Sequence, residues 1–212
     1  MARRSDHSRE ELKELALKSA EELLKEKPAS ELSTRQIATK MGYTVGTLYQ
    51  IFKNLPDLLL HVNARSLAIL YQDCQKLELS AQDAEANILA YANVYLQFAR
   101  THPGLWELIF DSSVLSDNLL SDNLLSDNAL SGNELPDWYL SQVDALFFLI
   151  EIQLKDIKPD SSEFDITKSS RVLWSGVHGI CTLSINNLFS HSACSSEELI
   201  QSLIKHFIKG WV

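Results

Sequence analysis

Residues 33–49, Ser-Thr-Arg-Gln-Ile-Ala-Thr-Lys-Met-Gly-Tyr-Thr-Val-Gly-Thr-Leu-Tyr, constrain the fold more than any other stretch. They read as two short helices about a tight turn. Ile37, Ala38 and Met41 recur at helical spacing and make one apolar face. Gly42 stops the first helix, because a left-handed residue past a helix end is cheapest as glycine. Ala38, four residues earlier, is small enough for two helices to cross closely. Thr44 is positioned to cap the second helix with its hydroxyl, and Leu48 and Ile51 give that helix an inward stripe. The pattern is a helix-turn-helix, whose second helix enters the major groove of DNA. Duplex DNA is therefore the expected partner.

Net charge alone opposes this, since the 212-residue chain carries a net −9. The charge is unevenly divided. Residues 1–55 hold 10 Lys and Arg against 8 Asp and Glu; residues 56–212 hold 9 against 20. Phosphate would repel the acidic part, which leaves the mildly basic first part as the face for nucleic acid. Gly and Pro number only 7 and 5, so long helices are expected over a turn-rich β fold. No uninterrupted apolar run is long enough for a membrane span. The opening Met-Ala-Arg-Arg-Ser-Asp-His-Ser has no apolar core of a signal peptide. Cys74, Cys181 and Cys194 are odd in number and widely spaced, which fits a reduced, cytoplasmic setting without a membrane partner.

In chain order, Arg3 and Arg4 lie in a polar tail that either reaches DNA as a basic arm or is simply solvated. Ser8 and Glu11 form a capping box for a first helix over residues 8–26, ended by Lys27-Pro28. Ser33 or Thr34 caps the next helix. Asn54-Leu55-Pro56-Asp57 is a break and a restart, with Pro56 and Asp57 suited to a first turn. Helices are expected over 57–79 and 83–101, then a short one from Pro103 to Phe110. Four pentads follow, beginning at Ser116, Ser121, Ser126 and Ser131. A period of five fits neither helix nor strand. One solenoid coil or a leucine-rich docking patch are possible readings; an irregular insertion loop over 116–135 is the expectation, since each Ser-Asp-Asn offers competing turn geometry. A helix then runs from Pro136-Asp137 to Ile157, the longest over 163–190, and a last one capped by Ser195 with Glu198 in the box position.

The residues Thr34-Arg35-Gln36-Ile37-Ala38, Met41 through Asn54, and Leu58-Leu59 together resemble the N-terminal domain of the tetracycline-repressor (TetR) family of regulators. The shared pattern is a glycine turn, the Gly46-Thr47-Leu48-Tyr49 block, an aromatic at Phe52, a lysine-containing turn and a leucine pair. Ile51 departs from it, where the family carries an aromatic or histidine, and so does Leu55-Pro56-Asp57, where Lys-Glu is commoner. The match covers about residues 8–60. It implies an all-α chain: an N-terminal three-helix helix-turn-helix domain, residues 1–55, and a C-terminal helical ligand-binding and dimerisation domain, residues 56–212. By motif position, Thr44, Val45, Gly46, Thr47, Tyr49 and Gln50 occupy the reading helix or its start. Gln50 can pair with adenine, and Thr44 or Val45 can touch a thymine methyl. Tyr49, Lys53, Thr34 and Arg35 suit phosphate. Leu48 and Phe52 are assigned to the core.

The two final helices are more apolar than a small domain requires. Gly176 and Gly179 sit mid-helix, where each costs about 1 kcal/mol relative to alanine, so a close helix approach is expected there. A helix pair meeting its twofold copy makes a four-helix bundle, and the resemblance implies a homodimer through these helices. Gly176, Gly179, Ile180, Leu183, Leu203 and Phe207 are the candidate interface, unless the glycines serve packing within one chain. The Trp174-to-Gly179 block also resembles the Trp-His-Gly signature of one TetR C-terminal subfamily. Tyr71, Tyr95, Phe98, Trp106, Phe110, Phe147 and Trp174 are candidates to line a pocket for an unidentified small-molecule effector, which would shift the two reading heads and release a palindromic operator.

No Gly-x-Ser-x-Gly, His-Glu-x-x-His, phosphate loop or dinucleotide glycine cluster occurs, so no enzyme and no cofactor are expected. His178 and Cys181, three apart, lack further ligands, so no metal is expected either. The alternative is a helical interaction module that docks a partner through the 116–135 repeat.

Overall fold

The computed structural model describes residues 7–111, 135–189 and 193–211. The expectations for the Arg3-Arg4 tail and for the pentad repeat lie outside these residues. All regular secondary structure among the described residues is helical. The chain forms two compact units, one of Met1–Ser66 with His102–Leu140 and one of Leu67–Thr101 with Ser141–Val212.

In the first unit, α1 (Arg9–Leu24) opens on the expected box: Ser8 Oγ accepts from the Glu11 N–H, and the Glu11 carboxylate accepts from the Ser8 N–H. A box of this kind contributes about 1 kcal/mol. After Lys27-Pro28 a single 3-10 turn (Ala29–Glu31) leads to α2 (Thr34–Met41). Ser33, not Thr34, is its cap, in a second box with Gln36 that the sequence reading did not pick out. Gly42 has φ of 75° and ends α2, as the glycine turn requires. The reading helix α3 is short, Val45–Tyr49, with Gln50 just beyond its end. Thr44 stands at the cap position, but its hydroxyl caps no backbone donor. It lies 3.2 Å from the Thr47 hydroxyl instead, which corrects the expected cap.

α4 (Leu55–Gln75) begins in the first unit and ends in the second. It stops four residues short of the expected end, where the chain turns at Leu77. Ile37, Ala38, Leu48, Phe52, Leu58 and Val62 are all buried together with the inner face of α1. α6 (Pro103–Ile109) also belongs to this unit. Its Gly104 abuts the end of α1 so closely that a Cβ there would stand 2.1 Å from the Leu24 carbonyl oxygen. Asn63 of α4, fully buried, donates to the Leu108 carbonyl at 3.0 Å. Arg65 reaches Glu14 at 2.7 Å and Glu21 at 2.9 Å on α1.

In the second unit, α5 (Ala84–Thr101) and α9 (Ser196–Trp211) pack together, and α9 also packs on α8 (Glu163–Ile185). α8 and α9 run antiparallel, because Ser196 meets Ser184 while Leu203 meets Gly176. Leu173 and Cys181 of α8 and Ile200 and Ile204 of α9 are buried. α7 (Asp137–Ile157) starts in the first unit and continues through the second. Asn87 of α5, buried, donates to Gln153 of α7 and pairs twice with the Ser80 backbone, tying the preceding loop down. α8 ends at Ile185 rather than at 190. Asn187 adopts φ of 56°, and the Leu188 N–H returns to the Leu183 carbonyl at 3.0 Å, the bond pattern of a helix stop with asparagine in the glycine role.

Candidate nucleic-acid interface and effector core

The reading face follows from one alternation. Leu48 is 1% exposed and Tyr49, the next residue, 55% exposed. Leu48 locks α3 into the unit's core; Tyr49 stands out in solvent beside it. Thr44, Gly46 and Gln50 are exposed as well, and Val45 and Thr47 are half-buried. Arg35, in the first turn of α2, is exposed, and Thr34 before it is half-buried. Lys53 is exposed in the turn after α3. That turn is held rigidly: the Lys53 N–H donates to the Asp57 carboxylate at 2.9 Å, and the Asp57 N–H to the Asn54 side chain at 2.8 Å. All nine residues expected at DNA thus belong to one compact unit and reach solvent in some part. Lys40, by contrast, faces α1, 3.3 Å from Glu22 and 3.7 Å from Glu26. Its charge is directed to the protein.

The aromatic residues expected around an effector divide. Trp106 and Phe110 meet edge-to-face at 5.1 Å in the first unit, where Trp106 is core. Tyr71, Tyr95, Phe98, Phe147 and Trp174 belong to the second. There Tyr71 packs on the buried cluster of Cys74, Tyr91 and Leu149, and Phe98 is buried. Trp174 and Tyr95 meet at a residue that had no expected role there, His178, and Phe147 joins them through Trp174. Trp174 meets Phe147 edge-on at 5.5 Å and stacks on His178 at 5.2 Å. The Tyr95 hydroxyl lies 3.0 Å from His178 Nδ1, and Thr182 3.4 Å from Nε2. Burial pushes the Tyr95 hydroxyl well above its ordinary pKa and lowers that of His178, so both are neutral hydrogen-bonding groups. Arg171 caps the row, 3.7 Å from the Phe147 ring centre and paired with Glu151. The signal for His178 was present in the spacing: Trp174 and His178 are four apart on one helix face. A groove of about 460 Å³ opens elsewhere in this unit, along Ala90, Val94, Gln97 and Arg100, and the expected aromatic residues do not line it.

At the α8–α9 seam, Gly176 has a reason within the chain: a Cβ there would come 2.7 Å from Leu203. A Cβ on Gly179 would meet nothing within 4 Å. Ile180, Leu203 and Phe207 are half-buried. Leu183 is 40% exposed, and Val172, two turns before Gly179 and three before Leu183 on the same face, is 55% exposed. Val172 was not among the expected residues, although its i, i+7, i+11 relation to the other two marks it.

Sequence profiles of known families match twice. "Bacterial regulatory proteins, tetR family" covers residues 16–62, and "Tetracyclin repressor-like, C-terminal domain" covers residues 88–207, more than half of the chain. Among solved structures, a Rhodococcus protein of unknown function has 20% identity and a TM-score of 0.72, over 99% of this chain and 98% of that one. A tetR-family transcriptional regulator from Streptomyces coelicolor has 15% identity and a TM-score of 0.63, over 93% and 79%. FadR of Thermus thermophilus, a TetR-family repressor in complex with lauroyl-CoA, has 15% identity and a TM-score of 0.59, over 94% and 95%. At these identities the likeness is one of fold. No curated protein matches the sequence.

Proposed function

The chain belongs to the TetR family of transcription regulators, and from that premise we propose that it is a dimeric repressor that binds a palindromic operator and leaves it when a small molecule enters the C-terminal core. The observation that carries the DNA half is the exposed polar rim of α3. Tyr49 is 55% exposed beside a buried Leu48, with Gln50 and Lys53 exposed just beyond. Tyr49 and Lys53 meet phosphate, as do Thr34 and Arg35. Gln50, Thr44 and Val45 read base edges, with Gly46 and Thr47 allowing close approach.

The dimer forms through α8 and α9. Support comes from Val172, Gly179 and Leu183, an apolar stripe that the chain's own residues leave open. The input half rests on the family and on the Thermus relative, whose complex holds lauroyl-CoA. The row of Phe147, Trp174, His178 and Tyr95 is the part of the core we assign to contact an effector. None of the described helices is long and apolar enough to cross a membrane, and the cytoplasm, where DNA is reached, is the proposed location. The test is direct. A duplex selected by the purified protein from a random library should be palindromic and should shift as a complex with two chains. Enrichment of no sequence would overturn the reading.

A further inference from the structure

α7 does not begin where the second unit begins. Its first turn is built into the first unit, and two consecutive aromatic residues fasten it there. Tyr139 is 3% exposed. Trp138 lies with its ring 4.7 Å from that of His61 on α4, and edge-on to Tyr139 at 6.0 Å. His61 in turn meets Phe52 edge-to-face at 5.5 Å. Phe52 is buried, three residues past the end of α3, and its N–H bonds the Leu48 carbonyl. The His61 ring is tethered to its own helix: Nδ1 donates to the Asp57 carbonyl at 2.9 Å. Asp57 is the residue that also fixes the Lys53 turn. A continuous file of rings thus joins the start of α7 to the end of the reading helix.

From this geometry we infer that Trp138 is a positioning residue for DNA reading, seating α3 through His61 and Phe52 without touching DNA itself. Trp138 is 40% exposed. More than half of its surface is still covered, and beyond that burial the ring makes a directional contact on α4. The inference rests on the proposed DNA-binding function.

Trp138→Ala and Trp138→Phe are compared with the wild-type protein by fluorescence anisotropy, on the duplex selected by wild type and on a scrambled duplex of equal length. Trp138→Ala should bind the selected duplex about tenfold more weakly while its affinity for the scrambled one stays within about twofold, since misorientation costs base contacts rather than phosphate attraction. Trp138→Phe should restore most of the loss. His61→Ala should weaken selected binding similarly, and the double variant no further than the weaker single one. Wild-type affinity for Trp138→Ala on the selected duplex overturns the inference. So does an equal loss on both duplexes that Trp138→Phe shares. If the wild type itself selects no sequence, the proposed function fails first, and this inference with it.

Discussion

Tyr49 and Leu48 are neighbours on the chain with opposite fates, and substitution should separate them cleanly. Tyr49→Ala removes an exposed ring and should abolish operator binding in a gel shift while leaving the melting temperature and oligomeric state as in wild type. Lys53→Ala should lower the slope of log affinity against log salt by about 1; an unchanged slope would count against a phosphate contact. Gly104→Ala acts on the fold instead. The new methyl would stand on the Leu24 carbonyl oxygen, a backbone atom that cannot rotate away. A destabilisation of about 3 kcal/mol is expected by denaturant titration. His178 gives a pH signature. Its folded pKa is lowered by burial, so the unfolded chain takes up the proton first, and stability falls as pH drops through the ordinary histidine range. Wild type should therefore lose more stability between pH 7.5 and pH 5.5 than His178→Asn; an equal loss in both would remove His178 from the account.

Helices were legible mainly at their beginnings. Ser8 with Glu11 and Ser195 with Glu198 announce α1 and α9, and both boxes form. Ends were harder. Asn186 and Asn187 look like ordinary polar residues at the tail of an apolar pattern, yet Asn187 takes the left-handed conformation and closes α8 early. Asn187→Gly should raise stability by about 0.5–1 kcal/mol, because glycine reaches that conformation without the Cβ penalty; a loss on thermal melting would show that the asparagine side chain holds the turn. The nine candidate DNA residues all fall in one unit and reach solvent, because the motif fixes their spacing. The candidate pocket could not be placed as well. Periodicity says which face of a helix is apolar but not which helix it meets, and so Trp106 and Phe110 were grouped with Trp174 although they lie in the other unit. Gly176 shows the same limit: its need for a close neighbour was readable, but not that the neighbour is Leu203 of its own chain.

On the scale of the whole molecule, the proposed dimer turns one weak reading head into a pair. Half-sites of an operator lie about 34–36 Å apart, one helical turn, and only a twofold assembly addresses both. Gly179→Leu should raise the dimer dissociation constant at least about tenfold by sedimentation equilibrium, with helix content unchanged, since within the chain a Cβ at this position meets nothing within 4 Å. A dimer of undiminished affinity would move the interface elsewhere. Removing residues 116–135 should leave operator binding intact; its loss would favour a docking role for the pentads.

The first unit is assembled from two separated stretches of chain, Met1–Ser66 and His102–Leu140. Regulators are often recombined by cutting once between reader and sensor and joining the halves of two proteins. Such a graft made near residue 66 would import the reader without Trp106, Leu108 and Gly104, and the buried Asn63 amide would lose its Leu108 acceptor. A working hybrid needs three junctions, so that α6 and the first turn of α7 travel with the helices they cover. The same interleaving limits how freely reader and sensor can be exchanged by recombination between genes.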